Sequence, residues 1–362
     1  MANIFSIFKQ SVFPSYLGVD IGTTSIKVVE VKPGKQLPEV VNYGLLESSS
    51  YLARTNQALQ ASGLKLFEAG AVEFLKIVLR EMKSRATVAI ASIPTFSSFM
   101  TTLDFPEMSP SDLDKAIVFQ ARQYVPLPMS EVAIDWMKVG ELKDEKGFKR
   151  QQILLISVPR EIIKKHQMIF KEAGLRLRAL EIESLSLARI FGGYDSTPTL
   201  VIDIGSRSTN IAFLESGQLK FNAQSDFAGF SLTQALSSSL SINPMRAEEL
   251  KRERGVLGTG PNYELSTIML PFLDAIINEV KKAMFKYEAQ FPGARKMERA
   301  MLTGGGANLL GIAKYLEREL GIPTVKASPF IRFEYRSEIE PLVSELNPIM
   351  SVALGLALRE FI

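Results

Sequence analysis

The chain lacks cysteine and has a single histidine, His166. Without thiols there is no disulfide framework, zinc ribbon or thiol nucleophile. With one imidazole, a Ser-His-Asp triad, a histidine metal site or a zinc protease would each rest on His166 alone. That residue falls on the Ile162, His166, Ile169, Phe170 face of a helical segment, where a satisfied, half-buried imidazole is expected. An excess of one charge is also missing. The 42 Lys+Arg residues face 39 Asp+Glu, for a net charge of +3. No basic stripe with interleaved aromatics accompanies them, which argues against nucleic acid as the main partner. Long apolar runs are absent: Ile153–Ile156 and Val352–Leu358 fall far short of the ~20 residues a membrane span needs. The opening MANIFSIFKQSVFP has no charged n-region, apolar core or cleavage site of a signal peptide. It does set Ile4, Phe5, Phe8 and Val12 at helical spacing, as a foot on a membrane or partner or as a tail packed on its own domain. These absences fit a cytoplasmic protein of 362 residues, long enough for roughly two domains of about 150 residues.

What is present is a repeat. Leu17-Gly-Val-Asp20-Ile-Gly22-Thr23-Thr24-Ser-Ile-Lys27 resembles Leu200-Val-Ile-Asp203-Ile-Gly205-Ser206-Arg207-Ser208-Thr-Asn210, at an offset of 203 − 20 = 183 residues. Each copy reads as an apolar strand, an Asp-Ile-Gly, a hydroxyl-rich turn and a second apolar strand, which is a β-hairpin pattern. The simplest account is two lobes of common design. After the first hairpin, Lys32–Lys35 and Asn42–Ser50 read as turns and loop, Leu66–Lys83 as a helix carrying Leu66, Phe67, Val72, Leu75, Val78 and Leu79, and Thr87–Ile93 as a strand. A segment of different rhythm follows. Strand Phe99–Phe105, a helix started by Ser109-Pro110, strands Val132–Val139 and Gln152–Val158, helix Arg160–Ala173 closed by Gly174 and strand Leu175–Ile182 give β-α-β-β-α-β. The second lobe opens near Thr199, with helices at Phe230–Ser241, Asn243–Arg254 and Ser266–Gln290, a strand into Gly304-Gly305-Gly306, a helix from Asn308 to Leu320 and a last helix Pro348–Phe361. The expected division is 1–96 for lobe one, 97–182 for the inserted subdomain, 183–198 back in lobe one, 199–346 for lobe two, and 347–362 as a C-terminal helix returning to lobe one.

The chemistry of these turns follows from their residues. Glycine lets backbone approach an anion, and successive N–H groups in such a turn form an anion-binding concavity. Thr23, Thr24, Ser206 and Ser208 add hydroxyl donors. An acid just before the turn, Asp20 or Asp203, suits a magnesium ion held through water. Lys27, on the outgoing strand, offers a point charge to a phosphate. Taken singly, an Asp-x-Gly turn is ordinary hairpin chemistry; two matched copies suggest two jaws on one phosphate chain. Gly304-Gly305-Gly306 would let backbone lie against a base or ribose. It is neither a P-loop nor a Rossmann fingerprint, because both spacings are wrong.

Two Asp-x-Gly hairpins followed by a late glycine turn resemble the actin, sugar kinase and DnaK-type chaperone superfamily. Phe105-Pro106-x-Met108 and Arg122-Gln-Tyr124-Val-Pro126-Leu-Pro128 narrow the likeness to the PilM family of type IV pilus assembly proteins, relatives of the division protein FtsA. The resemblance, spread over nearly the whole chain, implies an α/β, actin-like two-lobed fold with duplicated mixed sheets and the inserted subdomain of that family. It implies ATP and Mg2+ as cofactors. Asp20, Gly22, Thr23, Thr24 and Lys27 would match the first phosphate loop; Asp203, Gly205, Ser206 and Ser208 the second; Gly304, Gly305 and Gly306 the adenosine loop. Glu249 and Lys251 would match a helix flanking the nucleoside, or else form a solvated helix face. Glu181 and Glu183 lie where such folds orient an attacking water, or are exposed strand-end carboxylates. Slow or absent turnover is implied. The implied partner is the N-terminal cytoplasmic peptide of a PilN-like inner-membrane protein, which would bring the chain to the membrane, with a motor or other pilus assembly proteins and self-association in addition. Trp136 is expected in the core of the insert, and Arg207 reaches phosphate or solvent. A small-molecule kinase of the same fold and an FtsA-like filament protein are the competing readings.

Overall fold

Alternating β-branched residues make Tyr16–Ile21 and Ser25–Lys32 into two strands, β1 and β2, whose Leu17, Val19, Ile26 and Val28 are fully buried. They pair antiparallel, with Asp20 opposite Lys27. This computed structural model describes residues 15–47, 63–143, 147–192, 196–256 and 263–362, with backbone alone at 63–69 and 263. Ile4, Phe5, Phe8 and Val12 lie outside the described residues, as do the side chains of Leu66 and Phe67.

The rest of the first sheet comes from β3 (Glu39–Glu47), helix α1 (Gly63–Met82) and β4 (Val88–Ile93). The stretch read from sequence as loop at 42–50 is thus partly strand. Asn42 and Gly44 suggest a turn, yet both are explained by α1. Asn42 Nδ2 donates to the Met82 carbonyl, and a methyl on Gly44 would sit 2.6 Å from Val78 Cγ1. The chain then leaves the sheet for β5 (Phe99–Pro106), α2 (Pro110–Ala121), β6 (Val132–Lys143) and β7 (Lys149–Pro159). Ser109 caps α2, its hydroxyl accepting from Asp112 N at 3.3 Å. The chain returns through α3 (Arg160–Glu172), β8 (Arg176–Ile182) and α4 (Glu183–Gly192).

Only β5, β6 and β7 form the inserted sheet, in the order β5-β7-β6. The sequence assigns α3 and β8 to this unit; in the structure β8 joins the first sheet, and α3 bridges the two, with Ile162 and Ile163 on the core shared with β7. β8 pairs in parallel with β4, and Ile169 and Phe170 of α3 are buried with α1 in the first lobe's core. Nothing in the local sequence distinguishes the two pairings. His166 bonds the Ile162 carbonyl through Nδ1 at 2.8 Å. Trp136 packs partly buried on the insert's core, and its indole donates to Asp114 at 2.9 Å.

The second half repeats the first. β9 (Thr199–Ile204), β10 (Thr209–Glu215) and β11 (Gln218–Ser225) form an antiparallel meander. Helices α5 (Gly229–Leu240), α6 (Pro244–Arg254, capped by Asn243) and α7 (Tyr263–Gln290) follow, then β12 (Arg299–Thr303), α8 (Ile312–Leu320) and β13 (Thr324–Lys326). The chain closes with β14 (Glu334–Tyr335), α9 (Glu340–Ile349) and α10 (Ser351–Leu358). The first sheet runs β14-β3-β2-β1-β4-β8 and the second β11-β10-β9-β12-β13. Each therefore has the first hairpin strand inside the sheet, an antiparallel meander on one side and two parallel strands on the other, with β14 added in parallel to the outer edge of β3 in the first sheet.

The helix predicted from Pro348 starts at Ser351 instead; Pro348 and Ile349 belong to α9, which meets α10 at 90°. Pro348 lies in the last turn of α9, where its free carbonyl accepts from Gly304 N at 2.9 Å and Thr303 Oγ1 at 2.8 Å. Every residue of α10 is buried. It lies on β1 and α4, where small residues permit contact: Gly18 faces Ala353 and Ala357, and Gly355 faces Ser186. Glu181 anchors the same corner, taking Arg189 in a bidentate pair at 2.5 and 2.6 Å and Arg359 at 2.7 Å. Among the described residues no single helix is long and apolar enough to cross a membrane.

A side chain at Gly18 would overlap the Ala353 carbonyl oxygen and lie 2.8 Å from Ala357 N. Both are helix backbone and have no rotamer to escape into. Gly18→Val is therefore expected to cost about 3 kcal/mol or more, seen as a lower denaturant midpoint. An unchanged midpoint would contradict this packing of α10.

Candidate functional site

The two hairpins reach the site by the same local rule. Strand side chains alternate, so Ile21 and Ile204 turn into the core while Asp20 and Asp203 turn the other way. The first turn is Gly22-Thr23-Thr24, closed by Gly22 N donating to Ser25 O at 2.9 Å. The second is Gly205-Ser206-Arg207-Ser208, closed by Gly205 N donating to Ser208 O at 3.0 Å. The start of α5 docks on it, with Gly229 N on Gly205 O at 3.1 Å and Phe230 N on Ser206 O at 2.8 Å. Arg207 lies over the Phe230 ring, 5.1 Å from its centroid.

These turns face one another across a cavity of about 510 Å³, within the range of small-molecule sites. Asp20, Gly22, Thr23, Thr24 and Lys27 line it from the first lobe. Asp203, Gly205, Ser206, Ser208, Lys251, Gly304, Gly305 and Gly306 line it from the second. Gly304 adopts φ +79, and a methyl there would lie 2.5 Å from Asp203 Oδ1. A methyl at Gly306 would overlap the Ile204 side chain, whereas at Gly305 it would meet open space. The glycine turn is thus pressed against the second hairpin, and Gly305 leaves its backbone bare.

Two residues proposed from sequence are elsewhere. Glu249 points out to Arg246 at 2.9 Å with its side chain 57% exposed. A helix advances about 100° per residue, so its neighbour Glu248 faces the cavity instead. Glu248 binds Lys251 Nζ at 2.6 Å and Thr233 Oγ1 at 2.5 Å through Oε2, and Arg252 Nε at 2.9 Å through Oε1. Lys251 also donates to Gly229 O at 3.0 Å and Thr233 Oγ1 at 2.9 Å. With three partners for three donors, it ties α6 to α5. Arg252 continues across the cleft to Glu47 on β3, at 3.2 Å. Glu181 is the second displaced residue, withdrawn into its arginine pair. Glu183 lines the cavity. Its Oε2 accepts from Thr95 N at 3.0 Å and Thr95 Oγ1 at 3.2 Å.

Lys27 meets Asp20 Oδ2 at 2.8 Å, and Ser92 Oγ donates to Oδ1 at 2.8 Å. Burial opposes the lysine's charge, but Asp20, Asp203 and Glu183 outweigh it and hold its pKa up. The acids move the other way. Burial, then the Asp20 and Asp203 charges, pushes the Glu183 carboxyl up to about 8. Burial also raises Asp203 to about 6, with Asp20 adding to it and Lys27 opposing. In α6 burial disfavours charge on Lys251 and lowers its pKa, while its ion pair and hydrogen bonds hold Glu248 below the usual carboxylate range.

Residues missing from the sequence reading include Glu248, Arg252, Thr95, Ser92 and Asn210. Asn210 carried a signal. It stands opposite Asp203 in register as Lys27 stands opposite Asp20, at the same 210 − 27 = 183 offset.

A carboxyl whose folded pKa lies above its unfolded value favours the folded state only while protonated. Stability gained by Glu183 is complete below about 4.5 and lost as pH rises through about 8. Asp203 loses its share lower, from 3.8 through about 6. Each tenfold change in a group's proton affinity on folding is worth about 1.4 kcal/mol. The ligand-free protein is therefore expected to lose a few kcal/mol on going from about pH 5 to about pH 8.5. Glu183→Gln should flatten the part above about pH 6 in pH-resolved thermal melts. A slope unchanged in that variant would show that Glu183 ionises normally.

A family model described as type IV pilus assembly protein PilM matches residues 18–361. The cell division protein FtsA of Enterococcus hirae is 24% identical over 349 residues, 85% of this chain and 76% of FtsA. The FtsA of Enterococcus faecalis is 24% identical over 339 residues, 82% of this chain and 74% of that one. Among solved structures, a PilM–PilN type IV pilus biogenesis complex aligns at TM-score 0.78 and 22% identity, over 95% of this chain and 98% of that one. MreB5 of Spiroplasma citri aligns at TM-score 0.53 and 14% identity, over 96% of each. At these identities the structural likenesses speak for the fold, which is actin-like and two-lobed. With the family match running through both lobes, the insert and the last helix, the chain belongs to the PilM family of type IV pilus assembly proteins.

Proposed function

We propose that this chain is a nucleotide-loaded adaptor of type IV pilus assembly. It binds ATP with Mg2+ between its lobes and docks the N-terminal cytoplasmic peptide of a PilN-like inner-membrane protein. The carrying observation is that two matched Asp-Ile-Gly turns and a bare glycine turn line one cavity. Turn N–H groups, the hydroxyls of Thr23, Thr24, Ser206 and Ser208, and the Lys27 ammonium suit phosphate oxygens. Asp20 and Asp203 suit a hydrated cation. Among the described residues no three acidic or imidazole groups are placed to hold a bare ion, so Mg2+ would be held through its waters and the phosphates. Gly305 backbone suits the flat face of a nucleoside. The MreB5 structures that share the fold contain ADP and AMPPNP, and the PilM–PilN complex supports a PilN-like partner.

Bound with magnesium, the triphosphate would supply an electrophilic γ-phosphorus. What the chain supplies is holding and charge. Of the two candidate acids, Glu183 alone faces the cavity, and burial keeps it protonated at neutral pH in the ligand-free protein. In that state Glu183 holds a proton on the cavity wall. In this reading nucleotide acts as a conformational ligand with slow or absent turnover, readying the chain for its partner or a motor. The proposed location is the cytoplasmic face of the inner membrane, reached through the partner. The FtsA relatives support a second reading, a self-associating filament protein.

Calorimetric titration with Mg-ATP and with the partner's synthetic N-terminal peptide tests both. Wild type should bind both ligands, and Asp20→Ala and Asp203→Ala should each weaken ATP by at least tenfold, about 1.4 kcal/mol. ATP binding without peptide binding would move weight to the filament reading. No ATP binding by folded, nucleotide-free wild type would contradict the proposal.

A further inference from the structure

The two hairpins share a backbone but differ in the residue beside the acid. Directly opposite residues on antiparallel strands project to one face, with Cβ atoms roughly 4.5–5.5 Å apart. Beside Asp20 stands Lys27, which donates to it at 2.8 Å. Beside Asp203 stands Asn210. The first hairpin therefore carries its own cation, and the second carries a neutral amide. No hydrogen bond from a described residue reaches the Asp203 carboxylate.

Asn210 is 4% exposed and lines the cavity. Its Nδ2 donates to Ser184 Oγ at 2.9 Å, and Ser184 Oγ donates to Asn222 Oδ1 at 2.7 Å. Asn222 Nδ2 in turn donates to Ala223 O at 3.3 Å. Ser184 Oγ also lies 3.3 Å from Thr95 Oγ1. With Nδ2 engaged by Ser184, the oxygen is the free end of the Asn210 amide. That oxygen, Oδ1, has no hydrogen-bond partner among the described residues, so a donor arriving in the cavity would complete it. A phosphate oxygen at neutral pH accepts and does not donate. A hydrated divalent cation presents water hydrogens outward, and Mg2+ characteristically keeps several of its waters.

We propose that Asp203 and Asn210 form the cation-facing half of the cleft. Asn210 Oδ1 accepts a hydrogen bond from a water of the magnesium shell, while the Lys27 hairpin faces the phosphate oxygens. This rests on the nucleotide reading above and divides the two matched jaws into unlike roles. It makes Asn210 a positioning residue for the ion's hydration shell.

The test is titration of the full-length chain with a fluorescent ATP analogue, in magnesium and in EDTA. The quantity read is the factor by which magnesium tightens binding. Asn210→Ala should lower that factor about tenfold, the scale of outer-shell metal partners. Asn210→Asp, which keeps an acceptor of the same size and adds a negative charge, should retain or raise it. Asn210→Lys, which copies the first hairpin onto the second, should abolish it and tighten binding in EDTA. A full magnesium factor in Asn210→Ala, or its loss in a folded Asn210→Asp, would overturn the proposal. Failure of wild type to bind the analogue in either buffer would overturn the nucleotide reading itself, and this inference with it.

Discussion

One half-buried ammonium has to serve three acids lining the cleft where the lobes meet. Lys27 pairs with Asp20, and Asp203 and Glu183 are close enough to act on its charge. A single positive charge cannot compensate three negative ones in a low-dielectric cleft, so Glu183 stays protonated and Asp203 resists ionisation. With Glu183 protonated, Asp20 and Asp203 still share the one ammonium, and the cation proposed above would offset the charge that remains. The pairing also reaches into the fold, since Ser92 on β4 holds the other oxygen of Asp20.

The duplicated topology is what delivers these groups. In each sheet the first hairpin strand lies inside, so its turn emerges within the sheet's edge and not at a free corner. α10 and α4 lie between the halves. Gly18 and Gly355 let that packing close to backbone contact, and Pro348, at the bend before α10, also receives the N–H of Gly304. The glycine turn of the second lobe is thereby bonded to the helix pair that packs on the first. The inserted sheet is likewise not a free appendage. Leu154, Ile156, Val158 and Val139 share a core with the second lobe, while Gln152 and Gln290 exchange hydrogen bonds with backbone across that contact.

Much of this was legible in the residues. The repeated Asp-Ile-Gly announced two lobes, and the caps at Ser109 and Asn243 stand where helix-start chemistry put them. What stayed hidden depends on geometry that a linear pattern does not carry. β3 was obscured because Asn42 and Gly44 answer to α1 rather than to a turn. β8 follows the insert in sequence but pairs with the first lobe, α3 bridges the two, and pairing partners are not written locally. Glu248 and Glu249 differ by one step of helical phase, as Glu181 and Glu183 differ by the end of a strand and the start of a helix. Asn210 stood in the repeat at the position of Lys27, but a lone amide there carries no phosphate-loop signal of its own.

The central claim is that the matched turns close on one phosphate chain. Hydrogen exchange of the backbone amides, followed with and without Mg-ATP, tests it most directly, because the turn N–H groups are the proposed ligands. The account predicts that segments 20–27, 203–210 and 303–306 gain protection together, at the same nucleotide concentration. Protection confined to one hairpin, or to none while ATP is bound, would contradict it.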